Sequence, residues 1–119
     1  MKDIENPIVA KSFAYALRVV KLYRYLVEEK KEFVMSKDML VTGTHIGKHV
    51  MGAVNAENKE RFTMEMGTAG RISSEHEYWL YLLHYGGYLT ERELRSMDDD
   101  RIEISKMLTS ITKTSKINV

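Results

Sequence analysis

The hydrophobic positions of the chain follow helical spacing over four long segments. Seven-residue seams typical of bundles and coiled coils run through the last two segments. The spacing predicts helices at about residues 7–30, 37–54, 59–85 and 91–112. Short connections between long helices make neighbours antiparallel, so the predicted fold class is all-α, a single-domain antiparallel up-down-up-down four-helix bundle. The two seams are Phe62, Met66, Ala69, Ser73, His76, Leu80 and Leu83, then Leu94, Met97, Arg101, Ile104, Leu108 and Ile111.

Capping residues mark the predicted helix ends. Side chains that accept hydrogen bonds from free backbone N–H groups stand before each helix, and a proline suits a first helical position. Asn55 is expected to end the second helix in the left-handed conformation, and residues 112–116 are expected to fray. The predicted caps are Asn6 before Pro7, Ser36, Asn58, and a capping box formed by Thr90 with Glu93.

Four glycines, Gly43, Gly47, Gly67 and Gly70, form two pairs one turn apart within the second and third predicted helices. Each costs about 1 kcal/mol relative to alanine in a helix interior. Close approach of another helix backbone would offset that cost, and we expect it at all four positions, above all at Gly47. The alternative is a kink or interruption of the helix.

Composition excludes several classes of protein. The 119 residues are 44% hydrophobic and 29% charged, contain no cysteine and carry a net charge of +1. Disulfides and thiolate chemistry are therefore excluded. The longest apolar run, residues 78–83, falls far short of the roughly 20 residues that span a bilayer. A cytoplasmic protein without a membrane partner is the default expectation.

A basic stripe runs along the first predicted helix. Lys11, Arg18, Lys21 and Arg24 are the only charged residues between Pro7 and Val27, and they lie on one side of a helix. A cationic face without acids is what nucleic-acid phosphates select. Lys48 on the second helix can extend this surface. The alternative is an ordinary solvated face whose cations pair with acids of another helix.

The run from Tyr78 to Leu83 has no polar position over more than one helical turn. A helix that is apolar all round is buried all round, so a second subunit is expected to cover it. A line on the first helix is expected to face the same way, although aromatic rings lying flat on the bundle are the alternative. The predicted interface residues are Tyr78, Trp79, Tyr81 and Leu82, and the first-helix line is Tyr15, Val19, Leu22 and Leu26.

The histidines do not form a recognisable catalytic or metal-binding motif. His45 and His49 are four residues apart, but no third ligand accompanies them. No histidine has a glutamate three residues before it, as di-iron bundles require, and Leu80 stands where a zinc protease would need a second histidine after His76. The sequence therefore predicts no catalytic residue, metal or cofactor. His76 is expected to be a hydrogen-bonded interior or interface residue, and His84 a helix-end cation.

Several segments together resemble one known family. They are residues 11–18 with Lys21-Leu22-Tyr23, the stretch Thr42-Gly43-Thr44-His45-Ile46-Gly47-Lys48-His49-Val50, Ala56-Glu57-Asn58-Lys59 with Phe62, and Tyr78-Trp79-Leu80. They resemble the four-helix bundle proteins of bacterial ribosomal RNA intervening sequences, some of which are labelled ribosomal-protein-like. The second-helix stretch matches the family's Ser-Gly-Thr-Ser-Ile-Gly-Ala-Asn-Val signature with changes, and the likeness covers nearly the whole chain.

The resemblance implies a bundle that assembles into a five-membered ring. It also implies kinship with the accessory proteins of diversity-generating retroelements, which bind nucleic acid and a reverse transcriptase. Two departures bear on any shared site. His49 replaces the family's asparagine, and Gly52 stands where a glutamate usually follows.

Two hypotheses of function follow. The first is a self-assembling accessory protein that binds RNA or DNA through the basic stripe. The second is an oligomeric scaffold that holds a protein partner without touching nucleic acid. If the stripe faces solvent, the nucleic-acid hypothesis is favoured. If its cations pair with acids such as Glu28, Glu29 or those at 98–100, the scaffold hypothesis is favoured.

Overall fold

The computed structural model of the protein describes residues 5–117. Four helices account for most of them: α1 (Pro7–Glu28), α2 (Met35–Val54), α3 (Lys59–Tyr85) and α4 (Glu91–Ile117). No strand occurs within residues 5–117. The all-α prediction is confirmed, and the predicted helix bounds lie within two residues of the observed ones except at the end of α4.

Three of the predicted caps are present. The side chain of Asn6 accepts from the backbone N–H of Ile8 at 3.2 Å, directly before the proline that opens α1. Asn58 caps α3 by accepting from Arg61 at 2.8 Å. The capping box of α4 is reciprocal: the Thr90 N–H donates to the Glu93 carboxylate at 2.8 Å, and the Glu93 N–H donates to the Thr90 hydroxyl at 3.1 Å.

The start of α2 differs from the prediction. Ser36 does not cap it, because the helix already begins at Met35 after Val34, which makes no side-chain cap bond. Instead the buried carboxylate of Glu32 accepts the backbone N–H groups of Val34, Met35 and Ser36 at 2.9, 2.9 and 3.1 Å. A carboxylate at this end also complements the helix dipole.

Two predicted helix ends are also wrong. Asn55 has φ −103°, so it does not adopt the left-handed conformation; its side-chain amide donates to the Met51 carbonyl instead. The predicted fraying after residue 112 does not occur, since α4 continues to Ile117. The hydroxyls of Ser115 and Thr63 are hydrogen-bonded and tie that last turn to α3.

Contacts between neighbouring helices run in reverse order, which makes the bundle antiparallel. Between α3 and α4, Ser73 meets Ser105 whereas Glu77 meets Arg101. Each helix packs against its neighbours in the cycle α1, α2, α3, α4, with the α1–α4 contact the least extensive. The helices α1 and α3 therefore lie at diagonal corners, and their outer faces point in opposite directions.

The core runs along the predicted seams of α3 and α4. Leu80, Leu83, Leu94, Ile104 and Leu108 are buried, as predicted. The predicted core residues Phe62 and Ile111, near one end of the bundle, are only partly buried but pack against the same cluster. The apolar core is thus partly open near this end of the bundle.

The apolar face that α1 turns to the core is not the expected one. Tyr15, Val19 and Leu26 were expected to face another subunit, but all three are buried inside the bundle. Both sides of this helix are apolar, so spacing alone does not select the inner one. The outer side is left with three exposed large residues, Phe13, Leu17 and Val20.

Close packing occurs at one glycine pair and not at the other. A Cβ on Gly43 would lie 2.6 Å from Val19 Cγ2, and one on Gly47 would lie 3.3 Å from the backbone oxygen of Ser12, so α1 and α2 approach closely here. The prediction for Gly67 and Gly70 is wrong. Neither has an atom within 4 Å of a Cβ position, because both face an open groove beside α4.

Candidate functional site

The structure divides the predicted basic stripe of α1. The ammonium of Lys11 lies 2.5 Å from the carboxylate of Glu103 on α4. Arg18 reaches the same helix: its Nη1 donates to Asp100 at 2.6 Å and to the Ser96 carbonyl at 3.0 Å, and its Nη2 donates to the Ser96 hydroxyl at 2.7 Å. These two cations join α1 to α4, and each already has a carboxylate partner.

The remaining cations stay open. Lys21, Arg24 and Lys48 are exposed and form no ion pair with any residue in the described range 5–117. Lys21 belongs to a second grouping that sequence spacing did not show. It lines an open groove of about 530 Å³ between α1 and α4, together with Arg92, and we call this the α1/α4 groove.

His76 lies at the centre of the bundle with no exposed surface. Its Nε2 is 2.9 Å from the Tyr15 hydroxyl of α1, and its Nδ1 is 3.0 Å from the Thr42 hydroxyl of α2. Burial, and secondarily the positive charge of Arg101, lowers the pKa of His76 to about 3. Burial likewise raises the pKa of Tyr15, so both groups are neutral at pH 7.

The Thr42 hydroxyl gives its proton to the Asp38 carbonyl at 2.8 Å. With that proton on the Asp38 side, the arrangement that satisfies every group has the hydroxyl accepting from His76 Nδ1–H and Nε2 accepting from the Tyr15 hydroxyl. This series of hydrogen bonds joins α1, α2 and α3 through the buried side chain of His76. The expectation of a hydrogen-bonded interior histidine matches this placement.

A second polar cluster lies beside the first. The buried guanidinium of Arg101 donates to Asp98 at 2.6 Å and to Glu77 on α3 at 2.7 Å. Its other nitrogen lies within 3.5 Å of the hydroxyls of Ser73 and Ser105, which bond to each other at 2.6 Å. Sequence reasoning missed this cluster, although Arg101 stood out as a charged residue at a seam position. No buried side-chain nitrogen or oxygen in residues 5–117 lacks a partner.

The pair His45 and His49 does not form a metal site with a third residue. Within the described part of the chain, no group of three histidine, cysteine or carboxylate side chains could hold a metal ion. His49 Nδ1 instead lies 3.3 Å from the Glu65 carboxylate on α3. The Glu65 oxygen is 2.5 Å from where a Cβ on Gly52 would be, so it fills the space that the glycine leaves.

His84 was expected to act as a helix-end cation. Its Nδ1 donates to the carbonyl of Leu89 at 2.8 Å, across the turn between α3 and α4. The residue therefore fastens this turn by a hydrogen bond that needs only a neutral imidazole.

Two apolar stripes remain on the outside of the bundle. The α1 stripe consists of Phe13, Leu17 and Val20, and Leu17 is 50% exposed. The α3 stripe consists of Tyr78, Tyr81, Leu82 and Tyr85, with exposures up to 80%. Trp79, expected to belong to the interface, is only partly exposed and packs on the core. Three of the four predicted interface residues are thus exposed, and the fourth, Trp79, packs against the core of its own bundle.

These features define a class: a small antiparallel four-helix bundle with a hydrogen-bonded polar interior and two apolar outer stripes. No described helix combines the length and apolarity needed to cross a bilayer. The chain matches the 23S rRNA-intervening sequence protein family over residues 5–110, and it belongs to that family. The resemblance seen in the sequence is confirmed.

A solved structure gives a close comparison. It is a protein of unknown function from the S23 ribosomal protein family of Bacteroides thetaiotaomicron VPI-5482. The two chains are 42% identical and superpose with a TM-score of 0.90, covering 95% of this chain and 99% of the other. No curated protein matches the chain. Neither the description of the family nor that of the solved structure names an enzymatic activity.

Proposed function

We propose that this chain is a non-enzymatic, self-assembling scaffold that holds a protein partner. The observation that carries the proposal is the pair of exposed apolar stripes on the diagonal helices α1 and α3. Large contiguous apolar surface on a small protein marks an interaction site. Because the stripes point in opposite directions, contact between the α1 stripe of one copy and the α3 stripe of the next would be head-to-tail; such contacts form a ring when the rotation from copy to copy closes and a filament when it does not. The family resemblance favours a cyclic pentamer.

The ion pairs of α1 support the scaffold over the nucleic-acid hypothesis. Lys11 and Arg18 are paired with Glu103 and Asp100, which is the arrangement expected if the stripe holds the bundle together. Two of the five predicted phosphate-binding cations therefore already have a carboxylate partner within the fold. A net charge of +1 adds no general attraction to polyanions.

Sedimentation velocity of the full chain tests assembly. Wild-type protein should sediment as a multimer, and Tyr78→Glu with Leu82→Glu should give a helical monomer. Val41→Glu is the matched control, since Val41 is an exposed apolar residue of α2 outside both stripes. A wild-type monomer, or a control that dissociates as readily as the double variant, would refute the proposal.

Nucleic-acid contact is the second candidate, favoured by the unpaired cations Lys21, Arg24 and Lys48. Replacing all three by glutamine should weaken binding of a short single-stranded oligonucleotide and flatten its salt dependence. A fluorescence titration at two salt concentrations measures both. If the triple variant binds as the wild type does, or if neither binds, this candidate is excluded.

A further inference from the structure

The α1/α4 groove combines positive charge with an apolar floor. Its floor is formed by Leu22, Tyr25 and Met97, of which Met97 is buried and the other two are half-buried. At its rim, Lys21 of α1 and Arg92 of α4 form no ion pair within the described range. Arg18 closes one end, where Asp100 and Ser96 hold its guanidinium.

One carboxylate lies in the groove, and it is already engaged. Glu93 accepts the backbone N–H of Thr90 at 2.8 Å as part of the capping box. Two unpaired cations therefore face a single, hydrogen-bonded acid. The groove has a local excess of positive charge that the net charge of the chain does not reveal.

Arg92 is poorly placed for the stability of its own helix. It is the second residue of α4, where the positive end of the helix dipole disfavours a cation. Arg95, one turn further on, adds a like charge, and its own partner is Glu91. The acids of that turn, Glu91 and Glu93, flank Arg92, but each has another partner, Arg95 and the Thr90 N–H respectively. A cation that has no ion-pair partner of its own at a position that disfavours it points to a role outside the fold.

We propose that the α1/α4 groove binds a short segment of a protein partner in which an acidic residue stands next to a large apolar one. The acid would pair with Lys21 and Arg92, and the apolar side chain would cover Tyr25 and Leu22. This inference deepens the scaffold function and rests on it, because it gives the chemistry of the partner that the scaffold holds.

The groove suits a compact anion better than a nucleic acid. Past Ser96, the α4 side of the same seam carries the carboxylates of Asp100 and Glu103, which are taken up by Arg18 and Lys11. In that direction an extended polyanion would leave the two open cations within about one turn and then meet these acids. One or two negative charges beside an apolar group match the surface that is present.

A phage-displayed library of random peptides, selected on the full chain, tests the proposal. Peptides that bind the Lys21→Gln, Arg92→Gln double variant are first removed from the library, and those that bind the wild-type protein are then selected. Arg61→Gln with Lys106→Gln is the matched control, since both are exposed cations outside the groove and the net charge is the same. Enriched peptides should carry aspartate or glutamate beside an aromatic or large aliphatic residue.

Fluorescence polarisation of one enriched peptide gives the quantitative result. The groove variant, or glutamine in place of the peptide's acids, should weaken binding about tenfold or more, and the control should stay within about twofold. The proposal is overturned if the groove and control variants behave alike, or if no acidic peptide is enriched. It is also overturned if the groove variant loses only the binding of an oligonucleotide.

Sedimentation separates this result from the scaffold proposal. The groove variant should assemble as the wild type does, because its changes lie outside both apolar stripes. If no peptide depends on the groove while the protein still forms multimers, the groove proposal fails and self-assembly stands. If wild-type protein is monomeric but binds the peptide through Lys21 and Arg92, self-assembly fails and the groove stands.

Discussion

The neutrality of His76 makes a quantitative prediction about stability and pH. In the unfolded chain the imidazole titrates at its ordinary pKa of 6.5, whereas in the bundle the pKa is about 3. Between these values the unfolded state binds more protons than the folded state. His76 therefore lowers the stability of the fold progressively as the pH falls through this window.

The size of the effect follows from the width of the window. The difference between a pKa of 6.5 and one of about 3 corresponds to about 5 kcal/mol once the pH is below 3. Only part of it is reached at milder pH. Between about pH 7 and about pH 5, His76 alone should remove about 2 kcal/mol of the free energy of unfolding.

Urea unfolding, followed by far-ultraviolet circular dichroism, compares wild type with His76→Gln at these two pH values. Glutamine can still hydrogen-bond but does not titrate, so His45, His49, His84 and the carboxylates contribute alike to both proteins. The protein concentration must be fixed, because assembly adds to apparent stability. The variant should be less stable at pH 7 yet lose about 2 kcal/mol less on acidification. Equal losses would show that His76 is not held neutral by the fold.

Two further predictions concern helix interiors and one a helix end, all measured by thermal unfolding at fixed concentration. Gly43→Ala should destabilise by about 1–3 kcal/mol, since the new methyl would lie 2.6 Å from Val19; unchanged stability would mean that α1 and α2 separate freely. Gly67→Ala, with no atom within 4 Å, should stabilise by about 1 kcal/mol, and a loss would indicate an unrecognised contact. Glu32→Ala should cost about 1–2 kcal/mol by exposing the first turn of α2; a neutral result would show that its hydrogen bonds to the backbone contribute little.

Local signals in the sequence were sufficient for the helices and most of their caps. Asn6, Asn58 and the Thr90–Glu93 pair act on backbone groups within three residues, so their roles can be derived from spacing alone. The cap of α2 could not be derived in this way, because Glu32 precedes the helix by three residues and is buried rather than exposed. The seams of α3 and α4 were equally readable, since each follows a seven-residue spacing.

Features that depend on pairing between distant residues could not be derived. The basic stripe of α1 was visible, but its ion pairs join Lys11 to Glu103 and Arg18 to Asp100, more than eighty residues away. Which apolar side of α1 faces inward depends on the same packing. The α1/α4 groove requires Lys21 and Arg92 to face each other across two helices, which no spacing on either helix indicates.

The contact between His49, Glu65 and the space at Gly52 has a consequence for how this family can change. A carboxylate beside residue 49 is provided here from α3, and it occupies the space left by the missing side chain of Gly52 on α2. Adding a glutamate at position 52 alone would put two acids in one place, and altering Glu65 alone would leave His49 without its partner. Sequence changes at these positions should therefore be inherited in concert, and a chimera that exchanges α2 without α3 should fold less well than either parent.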